Sequence, residues 1–172
     1  LTDDQQTFER LIGLPDGTRQ VAAGYTHACA LLNNGQVWCW GNNANYQLGR
    51  TGWSSSTPTQ VATPLAGTVR RLAAGGAHTC ALLETGAVQC WGYNYYSSLG
   101  NGNTTDTAVP QNVLGLAGKV SYLEAGNLHS CALLEGGFVR CWGNNEFGQL
   151  GLGHTDNIGD DELPDSVPVV AL

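Results

Sequence analysis

The chain of 172 residues is long enough for one ordinary domain with a sizeable core, and its 24 glycines and 12% charged residues suit short strands and tight turns rather than helices. A net charge of -7 with a single lysine, Lys119, argues against nucleic acid or an anionic membrane as partner, since both require basic patches. No run of about 18 apolar residues is present to span a bilayer as a helix.

Leu1 to Arg10 (LTDDQQTFER) is polar, matches no other part of the chain, and is read as a leader segment. The chain opens on Leu1 without an initiator methionine or a signal-peptide core, so the expectation is a processed product or an excised fragment. From Leu11, LIGLPDGTRQVAAG aligns with PLAGTVRRLAAG at 64–75 and VLGLAGKVSYLEAG at 113–126. On that alignment the chain begins near the end of a repeat, and residues 11–20 complete a unit whose remainder lies elsewhere.

The stretch Ala22 to Gly49 returns from Ala73 and again from Glu124, with a step of 51 residues in Cys29, Cys80 and Cys131. Repeat units fall at about 21–71, 72–122 and 123–172, and a period of this size is the mark of an array of supersecondary units. Within the first copy, Ala30-Leu31-Leu32 and Gln36-Val37-Trp38 flank the loop Asn33-Asn34-Gly35, whose glycine supplies the left-handed residue of a three-residue hairpin. Gly86 and Gly137 occupy the same place.

That hairpin register sets Cys29 opposite Cys39, Cys80 opposite Cys90 and Cys131 opposite Cys141. Opposed strand residues are close enough for a bridge after modest adjustment, so three intra-repeat disulfides are expected. Each contributes about 2–3 kcal/mol in the chain-entropy account. Such bonds persist in oxidising compartments, which implies a secreted or extracellular protein, with the periplasm as an alternative.

His27, His78 and His129 each precede the first cysteine of a pair by two residues, a spacing also compatible with a three-ligand zinc site. The alternative is structural, with each ring satisfying backbone groups inside its repeat. Trp40, Trp91 and Trp142 recur once per repeat and are expected to pack unit against unit. Beyond the second strand lie the turn Gly41-Asn42-Asn43, a variable segment, and then Pro58, Pro110 or Pro168 before short apolar runs, which suits edge strands. Four short strands in about 50 residues is the pattern of a propeller blade.

The motifs G-x-x-H-[TSA]-C-A-L-L, G-x-V-x-C-W-G and [QS]-L-G, in three copies from Leu11 to Leu172, resemble the regulator of chromosome condensation repeat in its bacterial, cysteine-containing form. The resemblance implies an all-β protein of four-stranded β-propeller blades, commonly seven around a central channel. It does not imply one function, because the fold serves exchange factors, light sensors, inhibitors and scaffolds. The acidic, cysteine-paired chain suits neither chromatin nor a small GTPase. GYTHA, GGAHT and GNLHS stand where the family's ultraviolet photoreceptor has G-W-R-H-T, so a light-sensing role is not supported.

Three blades are too few to close a ring. The third copy stops before the strand that TRQVAAG supplies at the N-terminus, so the terminal blade is expected to be split between the two ends of the chain. Two readings follow: a fragment of a larger propeller, or a subunit that assembles head-to-tail by strand complementation into a ring or filament. The corresponding functions are a self-assembling extracellular module, or a propeller piece that binds another protein through its loop face as an inhibitor or adhesin. No catalytic triad, phosphate loop or carboxylate pair is recognisable, and no enzyme is expected. Among the loops, Asp156, Asn157, Asp160, Asp161 and Glu162 have the composition of a calcium site, and Trp53, Tyr93, Tyr95 and Tyr96 that of a contact surface.

Overall fold

The computed structural model describes residues 11–166 and 170–171. Its twelve strands form three antiparallel sheets of four: β1 (Thr18–Ala23), β2 (His27–Leu32), β3 (Val37–Gly41) and β4 (Ser55–Gln60); β5 (Val69–Ala74), β6 (His78–Leu83), β7 (Val88–Gly92) and β8 (Thr107–Asn112); β9 (Val120–Ala125), β10 (His129–Leu134), β11 (Phe138–Gly143) and β12 (Val170–Ala171). Each sheet is a meander with strands in chain order, as expected of a propeller blade. The reading of residues 1–10 as a leader falls outside the described residues.

The hairpin register matches the sequence pattern. Ala30 faces Trp38 and Cys29 faces Cys39, with the same pairs at Cys80–Cys90 and Cys131–Cys141. Leu32 N–H donates to Gln36 O at 2.9 Å, closing the turn, and Gly35 takes φ of +82° there. Three residues further along, the cysteines form a close pair with Cα atoms 4.1 Å apart and sulfurs at bonding distance in all three blades. No free cysteine remains among the described residues. Pro58 and Pro110 lie in β4 and β8, the outermost strands, where a missing N–H costs no ladder bond.

One sequence expectation is corrected. The strand TRQVAA does not complete the last blade; β1 pairs with β2 and opens the first blade, while VRRLAA and VSYLEA open the second and third. The blades therefore run 18–60, 69–112 and 120–171, each continuous in sequence. The physical reason is local. The return from β1 to β2 is a tight turn, closed by Gly24 N–H donating to His27 O at 2.9 Å, whereas 61–68 and 113–119 are the longer connections between blades. With four strands already in each sheet, strand exchange between chains is not required.

The core lies between blades rather than within them. One buried cluster joins Leu31, Val37 and Leu48 of the first blade to Leu72, Leu83 and Trp91 of the second; another joins Leu82, Val88 and Leu99 to Leu123, Leu134 and Trp142. Polar groups fix the same contacts. Trp91 Nε1–H donates to Gln47 O at 3.1 Å and Trp142 Nε1–H to Ser98 O at 3.0 Å. The Gln20 amide brackets Leu72, donating to its carbonyl at 2.7 Å and accepting from its N–H at 2.8 Å, and Arg71 Nε–H donates to Leu123 O at 2.9 Å. Trp40, the equivalent of Trp91 and Trp142, is only half-buried, because no described blade covers its side of the first sheet.

His27 and His78 also act between blades, and not on backbone inside their own repeat. His27 Nε2 lies 2.9 Å from Thr79 Oγ1, and His78 Nε2 lies 2.8 Å from Ser130 Oγ. The Thr79 hydroxyl donates its proton to Gln47 O at 2.9 Å, so it can only accept from His27. His27 is therefore the neutral tautomer protonated on Nε2. Its ring is so close to the axis that a Cβ on Gly24 would fall 2.6 Å from His27 Nδ1 and 2.3 Å from Gly75 O, which is why only glycine fits where β1 approaches β5.

Burial lowers His27 to about 4 and His78 to about 3, with His27 and His129 adding a smaller repulsive push on His78. The unfolded chain, with histidines near 6.5, binds more protons than the native state below that pH. Stability is therefore full above about 6.5 and falls as pH drops towards about 4 for His27 and about 3 for His78, at about 1.4 kcal/mol per pH unit for each ring. Urea unfolding between pH 7 and pH 4 checks this. The His78→Gln variant, which keeps a neutral donor towards Ser130, should show a distinctly shallower loss than the parent across the same interval.

Candidate interaction face

The turns after β1, β5 and β9 and the long loops after β3, β7 and β11 all emerge at one end of the blades and form a loop face. A buried asparagine builds each long loop. Asn43, Asn94 and Asn145 follow the end of the third strand and accept from the N–H of Leu48, Leu99 and Leu150 at 3.0, 2.9 and 3.0 Å. Their amides donate to loop oxygens: Arg50 O and Gly52 O from Asn43, Asn101 Oδ1 and Asn103 O from Asn94, His154 O and Asp156 O from Asn145. Their own N–H groups are taken by Ser54 Oγ, Asp106 Oδ1 and Asn157 Oδ1. The recurring Gly-x-Asn after each Cys-Trp is the sequence signal of this device, which the sequence reading passed over as a turn.

Held in this way, the loops present aromatic side chains outward. Tyr25 is 87% exposed, Trp53 91% and Phe147 90%, and Tyr95 is exposed beside them. Tyr93, Tyr95 and Tyr96 pack together, with Tyr95 edge-on to Tyr96 at 5.0 Å between centroids. Partial burial and the neighbouring Tyr96 and Asp106 raise the Tyr93 hydroxyl above its usual range, so the Tyr93 ring stays uncharged at neutral pH. A groove of about 350 Å³ runs between Tyr25, Asn42, Asn45, Tyr93, Tyr96 and Asn127. Two of the four aromatics singled out in the sequence, Tyr93 and Tyr96, line it; Tyr95 packs on them, and Trp53 stands apart on its own loop.

The other sequence-derived sites are not brought together for chemistry. Each cysteine meets its partner cysteine, and no group of three or more His, Cys, Asp or Glu side chains among the described residues is placed to hold a metal ion. With the cysteines paired to one another, the three-ligand zinc reading loses its thiolates. In the acidic loop, Asn157 caps the Asn145 N–H, Asp156 lies 3.3 Å from His154 Nδ1, and Asp161 and Glu162 face solvent apart from them. Asp160 is partly buried with no convergent carboxylate.

Repeated four-stranded blades, stacked face to face with inner glycines at the axis, define a β-propeller-type repeat protein. The model described as regulator of chromosome condensation (RCC1) repeat matches residues 34–82, 85–133 and 137–171, and a second of the same description matches 19–47, 69–97 and 120–149. The chain belongs to the RCC1 repeat family. It is 34% identical over 141 residues to the ultraviolet-B receptor UVR8 of Arabidopsis thaliana, covering 81% of this chain and 32% of that protein. Among solved structures, human WBSCR16 superposes with a TM-score of 0.77 at 27% identity, covering 90% of this chain and 40% of that one. Yeast RCC1 (Prp20), in its complex with Kap60, superposes with a TM-score of 0.74 at 24% identity, covering 86% and 37%. The chain thus spans about a third of the length of the UVR8 relative.

The asparagine device carries a prediction. Asn94→Ala leaves the buried Leu99 N–H without an acceptor, which costs about 1–3 kcal/mol. Amide hydrogen exchange should show lost protection at Leu99 and across 94–106, with the strands of the second blade unaffected.

Proposed function

We propose that this chain is a non-enzymatic protein-interaction module whose recognition surface is the loop face. The observation that carries this is the concentration of exposed aromatics, Tyr25, Trp53, Tyr95 and Phe147, on one end of an otherwise acidic and glycine-rich molecule. Tyrosine and tryptophan in rigid loops supply contact area at low entropic cost and dominate interface hot spots. Trp53, Tyr95 and Phe147 sit on loops each tied to a buried asparagine, and Tyr25 in the tight turn that Gly24 N–H closes on His27 O. Propeller repeats of this family act in protein interactions, and the yeast RCC1 structure contains such a partner, Kap60. Three cysteine pairs with none left over support an oxidising, extracellular setting for the module.

The test is affinity capture from extracellular fluid with the parent chain and with a Tyr25→Ser, Trp53→Ser, Tyr95→Ser variant. Partners of the loop face should be lost from the variant, with affinity down by about 30-fold or more, and retained by Phe138→Ser at the opposite end. Identical partner sets for the two variants would overturn the reading.

A second reading is favoured by one observation. Trp40 and Trp38 are half-buried on the outer side of the first blade, and His129, Leu133 and Val139 are half-buried on the outer side of the third. These two sides have the apolar character of the contacts inside the chain, so copies can associate head-to-tail by packing blade on blade. Light scattering under non-reducing conditions then gives a multiple of 18.1 kDa that collapses in Trp40→Ser. A mass of 18.1 kDa for the parent chain sinks this reading.

A further inference from the structure

Only seven of the 172 residues are lysine or arginine, in a chain of net charge -7, and three of them, Arg19, Arg70 and Arg71, line one cavity. The cavity measures about 380 Å³ and is completed by Gln20, Ser121 and Tyr122. It lies on the inner strands β1, β5 and β9, at the end remote from the loop face, since β1 runs from Thr18 towards the turn that carries Tyr25.

The backbone explains how adjacent arginines reach one place. In a regular strand Arg70 and Arg71 would project to opposite sides. Here each inner strand carries a bulge: the pairing of β1 with β2 skips from Thr18 to Gln20, that of β5 with β6 from Val69 to Arg71, and that of β9 with β10 from Val120 to Tyr122. The skipped residues are Arg19, Arg70 and Ser121, which are equivalent positions of the three blades. A bulge re-aims a side chain away from the pleat, and bulges concentrate next to sites. In all three blades the re-aimed residue points to the same cavity.

The charges are unequal in availability. Arg71 is committed: its guanidinium pairs with Glu124, donates to Tyr122 OH at 2.7 Å and lies 3.9 Å above the Tyr122 ring. Arg19 donates to Val69 O through one nitrogen only. Arg70 is exposed and has no hydrogen-bond or ion-pair partner among the described residues. Two guanidiniums with open donor forks thus stand on a cavity that has no carboxylate among its lining residues.

We infer that this cavity is a binding site for a small oxyanion, a carboxylate or phosphate, held between Arg19 and Arg70. Planar guanidinium donors match both anions bidentately. The net negative charge of the chain disfavours long polyanions, which feel the field of the whole molecule, and leaves a compact anion as the better fit. The site does not depend on the loop face, from which the blades separate it.

The experiment is titration of the full chain with inorganic phosphate and with succinate, against sodium chloride at matched ionic strength, following arginine Nε–H resonances by NMR. The expected result is saturable movement of the Arg19 and Arg70 signals with the two oxyanions and none with chloride. Arg70→Gln and Arg19→Gln, both at exposed positions that should fold normally, each weaken binding by about tenfold or more. Glu124→Gln, which releases Arg71, tightens it. A hexaglutamate peptide distinguishes the sources: tighter binding than succinate assigns the carboxylate to a protein partner, and weaker binding assigns the oxyanion to a free small molecule. Movement that chloride reproduces, or that survives both arginine variants, overturns the site.

Discussion

Everything in this molecule depends on the contact between one blade and the next. A four-stranded sheet of about 40 residues has two apolar faces and no interior of its own, so its side chains are buried only when another sheet covers them. The sequence meets that requirement with a recurring set of groups. Each later blade contributes a tryptophan whose indole N–H caps a loop carbonyl of the blade before it, while a histidine of the earlier blade hydrogen-bonds to a hydroxyl of the later one. The cysteine pairs sit at the centre of the same faces and tie the two middle strands of each sheet. Direction follows from this asymmetry: the bonds run one way along the chain, and a reversed stack would have neither the tryptophan caps nor the histidine bonds.

Much of this was legible in the sequence because it is local. Loop length fixed the hairpin register, the register fixed which cysteines face each other, and the period fixed the number of blades. The phase of the blades was not legible. A periodic sequence reads the same wherever the unit is cut, and PLAG or LGLAG between blades looks much like the glycine-bounded turn within one. Only the pairing of β1 with β2 decides that Thr18–Ala23 opens a blade. The partners of the histidines were hidden for a related reason, since Thr79 and Ser130 lie 52 residues from His27 and His78, in the neighbouring unit.

The loop face shows the opposite limit. Its aromatics were visible as residues, but their rigidity rests on Asn43, Asn94 and Asn145, whose bonds to loop backbone depend on how the chain returns. Backbone strain marks the same loops: Tyr46 and Ser97 take φ of +63° and +61°, where the third repeat has Gly148 at +72°. Non-glycine residues are uncommon in that region and persist where surrounding bonds over-determine them. In the acidic loop the side chain that is well used is an amide, Asn157, whose oxygen accepts from the backbone N–H of Asn145.

The blade contact also constrains what can follow the third blade. His129 is half-buried on that outer side and, like the other two histidines, lowered by burial, so its ring is neutral. A matching blade needs a hydroxyl where the second and third have Thr79 and Ser130, and a tryptophan where they have Trp91 and Trp142. The first blade of a second copy supplies the tryptophan, Trp40, but has Ala28 in place of the hydroxyl. Head-to-tail contact between copies would therefore bury apolar surface comparable to the internal contacts while leaving His129 without its bond. A buried polar group left without a partner costs about 1–3 kcal/mol. By that margin the outer face of the third blade discriminates against the first blade of its own chain and in favour of one that carries serine or threonine after the histidine.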